Sequence, residues 1–285
     1  MENFQYILPE IFISVSIMLF LLVGVFKKNS ASLIYNLSNI SLVILLALII
    51  NLSSLDTIYL FNESYLIDNL SNYMKIILVG SGIFVMLTGS KYIQVINLNK
   101  IEYPILILSS ILGMMIMISS NDLIVFYMGL ELQSLALYVL ASFNRDNLLS
   151  TESGLKYFVL SALSSGLLLY GCSLTYGFSE STNFDQILIN STEFNYGTTF
   201  GIVFILVGLA FKISAVPFHM WAPDVYQGSP TSVTLFFAIL PKIAALSVFI
   251  KFLYTPFANM NDQWQTIIVF ISIASMIFGA VAAIG

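Results

Sequence analysis

Charged residues are scarce in this sequence: they make up only 9% of 285 residues, whereas soluble domains carry roughly 25%. Hydrophobic residues make up 58%, and the mean hydropathy is +0.93. The single cysteine, Cys172, excludes a disulfide within the chain and any cysteine-based zinc or iron–sulfur site. The net charge of −5 is small and dispersed over loops, which argues against a nucleic-acid partner. The composition indicates an integral membrane protein.

Other missing features narrow the chemistry. The only histidine, His219, cannot form a multi-histidine set for haem or a metal. The sequence contains no G-x-G-x-x-G opening a βαβ unit and no P-loop, and the glycines at 80 and 82 in an apolar segment indicate close helix packing. We therefore expect a chain that binds no cofactor or metal and oxidises nothing itself.

Nine stretches are long and apolar enough to cross a bilayer, which requires about 20 residues. They lie near 7–26, 33–52, 73–93, 103–120, 122–143, 155–177, 199–220, 232–254 and 264–285. The first is too long for a signal-peptide core and is flanked by Glu2 and Glu10, so we expect it to be retained. We predict an all-α, polytopic membrane helix bundle without a soluble domain.

Basic and acidic residues alternate between successive loops, which predicts the orientation. One set of loops carries the basic residues Lys27, Lys28, Lys91, Lys100, Arg145 and Lys156. The other set carries the acidic residues Asp56, Glu63, Asp68, Asp122, Glu180, Asp185 and Glu193, with Lys75 at a helix edge. We predict that the N-terminus and the acidic loops lie outside, and the basic loops in the cytoplasm or matrix. The sequence ends GAVAAIG inside an apolar run, so we expect a fragment of a longer protein.

Once the charges near segment ends are set aside, three charges remain inside the predicted spans: Glu131, Lys212 and Lys242. Each would cost roughly 2.5–3.5 kcal/mol if it faced lipid, so we expect all three in a protein interior. A structural alternative is open for Lys212, which could snorkel toward the interface while Glu131 only neutralises it. Lys242 lies at mid-span, roughly 15 Å from either headgroup region, so snorkelling explains it poorly.

Two prolines accompany the lysines. Pro217 follows Lys212 by one turn, and Pro241 directly precedes Lys242. A proline removes a backbone N–H and frees a carbonyl, so we predict helix breaks at both positions. Such breaks occur at membrane depth where the backbone is buried in protein or lines a hydrated cavity. Either proline alone could be an ordinary packing kink, but together they favour a polar pathway.

These residue types suit proton transfer. A buried lysine binds its proton less tightly and a nearby carboxylate restores the affinity, so Glu131 and Lys212 could form a proton switch. Lys242 would be the next acceptor, with water and Ser or Tyr hydroxyls between. His219 could load the path from the cytoplasmic side, or could be a structural helix-end imidazole. Trp221 and Tyr226 lie beside these residues in the sequence, but they could equally well be aromatic anchors at the membrane interface.

Four stretches resemble a known family: MGLELQSLALYVLASF, ESGLKYFVLSALSSGLLLYG, GLAFKISAVPFHMWAPDVYQGSPTSVTLFF and AILPKIAAL, at 128–143, 152–171, 208–237 and 238–246. They are similar to N subunits of proton-pumping NADH:quinone oxidoreductase, respiratory complex I, the equivalents of mitochondrial subunit 2. The resemblance implies an antiporter-like fold of about fourteen helices, with a discontinuous helix 7 and inverted repeats. It divides this chain into a three-helix segment at 1–102, a first repeat at 103–254 and the start of a second repeat at 255–285.

The resemblance also implies residue roles. Glu131 matches the family's helix-5 glutamate, Lys212 the helix-7 lysine and Lys242 the central helix-8 lysine. Lys156 matches a helix-6 lysine, which makes it a probable bridging residue. The outlet lysine of the second repeat has no counterpart in this chain.

By resemblance, the chain would translocate protons in the membrane arm, coupled to quinone reduction. NADH, FMN, iron–sulfur clusters and quinone would be bound by other subunits. Its partners would be adjacent antiporter-like and small membrane subunits and the lipid bilayer, in a bacterial plasma membrane or a mitochondrial inner membrane. Two alternatives stay open: a subunit of a multisubunit sodium/proton antiporter, and a structural spacer of the membrane arm.

Overall fold

A computed structural model describes residues 2–27, 30–53, 56–190 and 196–284. Lys28 and Glu193 of the charge pattern lie outside the described residues, as does the side chain of Glu2. Within the described part, nine helices are long and apolar enough to cross a membrane, so the chain is a multi-pass membrane protein and the predicted all-α bundle is confirmed.

The long helices follow one another with short connections. They are α1 Leu8–Phe26, α2 Ala31–Leu52, α3 Asn69–Val95, α4 Glu102–Ser119, α5 Leu123–Ala141, α6 Leu148–Ser179, α8 Tyr196–Ile213, α10 Thr231–Tyr254 and α11 Asn261–Ile284. Two short helices lie between them, α7 Phe184–Asn190 and α9 Trp221–Gly228. The described residues also form an antiparallel hairpin of β1 Ile58–Leu60 and β2 Tyr65–Ile67.

Two predicted segments differ from the structure. The span predicted at 199–220 is interrupted after Ile213, so helix 7 is discontinuous, as the resemblance implied. The helix predicted from 155 already begins at Leu148, because the Asn147 side chain accepts a hydrogen bond from the Leu149 N–H and caps it. The polar first turns of α6 were therefore mistaken for loop.

The loops at one end of the bundle contact one another. The hairpin bridges to the end of α4 through Tyr65 and Ser120, and Asp122 bridges to Asn183. Asn121 Nδ2 also donates to the Glu63 carbonyl at 3.0 Å. Because these loops carry the acidic residues, we name this the acidic end, and the opposite end, with Lys91, Lys100 and Arg145, the basic end.

Glycines bring the helices of the first repeat into close contact. On α4 and α5, a Cβ at Gly113 would lie 2.5 Å from the Gln133 nitrogen, and a Cβ at Gly129 would lie 2.8 Å from the Met117 nitrogen. A similar crossing joins α6 and α8, where a Cβ at Gly171 would lie 2.8 Å from the Gly201 carbonyl oxygen. Small residues permit such contact between membrane helices. These crossings hold α5 and α8 in the positions that the site requires.

The predicted close-packing patch at 80–82 is only half correct. A Cβ at Gly82 would lie 3.0 Å from the Ile111 side chain, but a Cβ at Gly80 would meet nothing within 4 Å.

Replacing Gly129 with alanine should destabilise the protein. The added methyl group would meet the backbone of α4, which cannot rotate away, and overpacking of this kind costs about 1–3 kcal/mol. Thermal unfolding of the purified protein in detergent should show a lower Tm for Gly129→Ala. Gly80→Ala is the matched control, because it adds the same methyl group in open space. Equal Tm values for the two variants would contradict the proposed contact.

Candidate functional site

Lys212 lies in the last turn of α8, where helix 7 is interrupted, and its side chain is buried, with 5% exposure. Its ammonium nitrogen donates to Ser134 Oγ of α5 at 2.7 Å and to Ser161 Oγ of α6 at 2.8 Å. The Tyr138 hydroxyl donates to the same Ser161 oxygen at 2.6 Å, and Lys212 Nζ lies 5.9 Å from the Tyr138 ring centroid. The ammonium is thus held by neutral hydroxyl groups from two neighbouring helices.

Glu131 precedes Ser134 by one turn of α5, so both lie on the same helix face. Glu131 interacts electrostatically with Lys212, but these two described residues form no ion pair within 4.0 Å. Its Oε1 atom is buried and has no hydrogen-bond partner among the described residues. The structure therefore places the predicted pair near each other, with Ser134 rather than Glu131 in contact with the ammonium.

Lys242 contacts the interrupted segment from α10. Its Nζ donates to the backbone carbonyl of Lys212 at 3.2 Å and to the hydroxyl of Ser214. It also lies 5.1 Å from the centroid of the Trp221 ring. The carbonyls at the end of a helix carry partial negative charge, which favours a cation there. The two lysines are thereby joined through the Lys212 backbone.

Trp221 is buried in the centre of the site, so the alternative that it is an interfacial anchor is wrong. Its Nε1 donates to the Phe211 carbonyl at 2.9 Å, which satisfies one backbone group exposed by the interruption. Its ring stacks on Tyr157 with a centroid separation of 4.6 Å. Trp221 therefore fixes α9 against α6 and α8 while its face covers Lys242.

The two prolines differ in their effect. Pro217 lies in the non-helical stretch 214–220 between α8 and α9, where a break was predicted. Pro241, in contrast, lies inside α10, which runs without interruption from Thr231 to Tyr254, so the predicted break there is wrong. A proline interior to a helix removes one hydrogen bond, and the rest of the α10 ladder is retained.

His219 and Lys156 lie apart from the Lys212 hydroxyl network. His219 belongs to the stretch 214–220, and its ring centroid lies 4.4 Å from that of Phe278 on α11. Lys156 forms ion pairs with Asp224 of α9 at 2.6 Å and with Glu152 at 2.7 Å. It thus links α6 to α9 at a partly exposed position, and its hydrogen bonds and ion pairs within the described residues do not reach Lys212 or Lys242.

Two buried lysines at the acidic end were missed by the sequence reasoning. Lys75 Nζ contacts Glu10 Oε1 at 2.7 Å, and the Tyr65 hydroxyl donates to the same oxygen at 2.8 Å. Burial, and secondarily the Glu10 carboxylate, raises the pKa of Tyr65 well above its ordinary value, so its hydroxyl keeps its proton. Lys251, near the end of α10, donates to the Ile118 carbonyl at 3.4 Å. Lys75 was interpreted as a helix-edge residue, although it lies well inside α3.

Metal-binding residues do not cluster in the described part of the chain, where no group of three or more His, Cys, Asp or Glu side chains could hold a metal ion. Cys172 is a buried free thiol. The chemistry available to the site is therefore that of lysines, one carboxylate and hydroxyl groups.

Comparison with known proteins identifies relatives by sequence. Residues 120–285 match the family model described as "NADH:quinone oxidoreductase/Mrp antiporter, TM". NADH-quinone oxidoreductase subunit N of Pelagibacter ubique is 69% identical over 287 residues, covering 100% of this chain and 60% of that protein. Subunit N of Rhodospirillum rubrum is 50% identical over 282 residues, covering 97% of this chain and 58% of that protein. The chain thus spans about 60% of the length of these relatives, and the resemblance to N subunits is confirmed.

Solved structures share the fold. A chain of respiratory complex I from Thermus thermophilus, solved with bound Aureothin, has a TM-score of 0.74 and 27% identity, covering 85% of this chain and 52% of that chain. A chain of the Mrp complex from Dietzia has a TM-score of 0.83 over 99% of this chain and 55% of that chain, but at 19% identity it shows the fold alone. The antiporter-like arrangement is confirmed. From the sequence match and the fold together, the chain belongs to the NADH:quinone oxidoreductase/Mrp antiporter transmembrane family.

Proposed function

We propose that the chain is the antiporter-like subunit N in the membrane arm of an NADH:quinone oxidoreductase, and that it moves protons across the membrane as the complex reduces quinone. One observation carries the proposal: the buried Lys212 ammonium is held by two neutral hydroxyls, while the nearby Glu131 has a buried Oε1 atom that finds no hydrogen-bond partner among the described residues. A lysine with only structural duties in a membrane would be expected to pair directly with that carboxylate.

The first step is release of a proton from Lys212. Hydroxyl partners stabilise an ammonium less than a carboxylate does, so the charge of Lys212 depends strongly on its electrostatic surroundings. Glu131 supplies the nearby negative charge. When Glu131 is ionised the ammonium is favoured, and when its charge is neutralised or turned away the proton is released.

The second step is capture by Lys242. Its amine, when neutral, would accept the proton near the Lys212 carbonyl and the Ser214 hydroxyl that it contacts here. The Trp221 ring covers this position. Water and the hydroxyls of Ser161 and Tyr138 complete the connection between the lysines.

Two further residues would take part in the path before the proton reaches Lys212. His219, in the non-helical stretch, would load the path from the basic end. Lys156 would act as a bridging residue when its ion pair with Asp224 opens. The basic end would face the cytoplasm or matrix, in a bacterial plasma membrane or a mitochondrial inner membrane.

The redox chemistry would take place in other subunits, which would bind NADH, FMN, iron–sulfur clusters and quinone. This chain would be a non-redox part of the enzyme, with residues 103–254 as its first antiporter-like repeat and the helices of 1–102 packed beside it. Its partners would be adjacent antiporter-like and small membrane subunits. By resemblance to the family, the second antiporter-like repeat would carry a further outlet.

Replacing Glu131 with glutamine tests this proposal. The amide keeps the shape and removes the charge, so the Lys212 ammonium loses its electrostatic partner, and proton pumping by the whole complex in vesicles should fall by about fivefold or more. Glu102→Gln is the matched control, because Glu102 is an exposed glutamate in the first turn of α4. Pumping and NADH-driven quinone reduction are measured together in both variants.

The same measurements also test the alternative that the chain is a structural spacer of the membrane arm. Parental pumping by assembled complexes that carry Glu131→Gln, and by others that carry Lys242→Ala, would mean that the charges serve only packing. In that case the proposed proton path would be abandoned.

The fold likeness to the Mrp complex keeps a second function in view, that of a subunit in a multisubunit sodium/proton antiporter. The two functions differ in what drives proton movement. Vesicles that acidify on addition of NADH, without sodium and in proportion to quinone reduction, support the oxidoreductase. Proton movement that requires a sodium gradient and ignores NADH would support the antiporter.

A further inference from the structure

The acidic end holds a buried lysine that the proposed path does not use. Lys251 is 5% exposed and lies in the last turn of α10, on the side of the bundle facing α4. Lys242 and Lys251 are nine residues apart, which is half a rotation apart around the helix, so they serve different parts of the interior.

Lys251 is a charged group without a direct counter-ion. Its Nζ donates to the Ile118 carbonyl, one residue from the end of α4, where the helix dipole favours a cation. It also interacts electrostatically with Asp68, Asp185 and Lys75, but among the described residues it has no carboxylate within 4.0 Å. The charge of Lys75 is itself offset by Glu10 at 2.7 Å. Of these two lysines, Lys251 is therefore the one that can release its proton without breaking an ion pair seen among the described residues.

Outward from Lys251, two carboxylates lead to the surface of the acidic end. Asp68 caps α3 by accepting a hydrogen bond from the Ser71 N–H at 2.8 Å. Asp185 of α7 accepts from Asn121 Nδ2 at 2.9 Å. Both aspartates are half-buried, so each lies at the boundary between the protein interior and water. They are positioned to receive a proton from the lysine below them.

Inward from Lys251, the bundle contains polar groups without protein partners. Ser110 of α4, Gln133 of α5 and Ser247 of α10 are each almost completely buried, and each has a side-chain oxygen that is unpaired among the described residues. Buried polar atoms of this kind are commonly satisfied by water. Ser247 lies one turn before Lys251 on the same face of α10. These three side chains therefore offer hydrogen-bond partners to a short chain of water between α4, α5 and α10.

We propose that Lys251 is a proton relay that connects this hydrated interior to the acidic end. The inference rests on the proposed function. In the step, the Lys251 ammonium gives one proton through water to the Asp185 or Asp68 carboxylate, which passes it to the solution outside. The neutral amine then takes one proton from the water chain beside Ser247, which restores the ammonium.

A structural role is the competing explanation, because Lys251 also caps α4. Replacing Lys251 with arginine distinguishes the structural role from the relay. Arginine keeps the positive charge and can donate to the Ile118 carbonyl, but its guanidinium does not release a proton in proteins. A cap is preserved by Lys251→Arg, whereas a relay is blocked.

The experiment compares complexes carrying Lys251→Arg, Lys251→Gln or Lys212→Ala in vesicles, with Tm, proton pumping and quinone reduction measured for each. We expect Lys251→Arg to keep the parental Tm and to lower pumping by about tenfold. Lys251→Gln should lower pumping equally, and it provides the same test if the arginine variant does not assemble. Parental pumping by an assembled Lys251 variant, with pumping lost in Lys212→Ala, would overturn the relay alone. Parental pumping by Lys212→Ala as well would overturn the proposed function.

Discussion

Replacing Lys212 with alanine is expected to lower the rate of proton pumping by about tenfold or more, in vesicles that contain the whole complex. The substitution removes the ammonium that joins Ser134 of α5 to Ser161 of α6, and leaves both hydroxyls without the amine that they contact. Because pumping is coupled to electron transfer, NADH-driven quinone reduction should slow with it. Proton uptake is followed with a pH-sensitive dye, and quinone reduction by NADH absorbance.

The matched control for this variant is Lys100→Ala. Lys100 is an exposed lysine at the basic end, so its removal changes the net charge equally and leaves the buried network intact. Pumping at the parental level in Lys212→Ala would show that the proton does not pass through this residue.

Replacing Lys242 with alanine should have an effect of similar size. Without this amine, a proton released by Lys212 has no acceptor at the Lys212 carbonyl and Ser214, and pumping should fall by about tenfold. The Tm should change little. The variant loses the contacts of the partly buried Lys242 ammonium, but it also no longer bears the cost of desolvating that charge. Both quantities are measured on the same purified complex.

Lys91→Ala controls for the loss of a lysine at an exposed site on α3. If Lys242→Ala pumps normally while Lys212→Ala does not, the proton leaves Lys212 by a route that avoids Lys242. The step proposed between the two lysines would then be wrong.

The charges of the site were visible in the sequence for a physical reason. A charge inside an apolar span is costly, so Glu131, Lys212 and Lys242 stood out against lipid-compatible neighbours. Span length and hydropathy follow from bilayer thickness, so the nine spanning helices of the described residues could be predicted as well. These features depend on local composition, which a single sequence contains.

The partners of those charges were not visible. Ser161 belongs to a helix rich in serine, and Ser134 also donates to the Leu130 carbonyl of its own helix, so nothing local marks either serine as a partner of Lys212. The local sequence around Trp221 does not reveal whether the ring lies at the membrane interface or, as here, against a lysine. Such assignments depend on which helices are neighbours, and that is set by the glycine crossings of tertiary packing.

Helix boundaries caused the other errors. Lys75 looked like an edge residue because the apolar run begins near it, yet α3 begins at Asn69, capped by Asp68, and places the lysine inside the bundle. Lys251 was passed over because it lies one turn from the end of α10, although that end was predicted correctly. Pro241 was expected to break a helix, but α10 runs without interruption from Thr231 to Tyr254. Caps and tertiary contacts shift a boundary by one or two turns, which is enough to move a charge from the surface to the interior.

A double-mutant cycle tests the central claim, that Glu131 and Lys212 act as one proton switch. Pumping per electron is measured in the same vesicles for the parental complex, Glu131→Gln, Lys212→Ala and the double variant. If the two residues form one unit, the double variant should lose no more pumping than Lys212→Ala alone. Losses that multiply would show that the residues act independently, and this result would contradict the proposed switch.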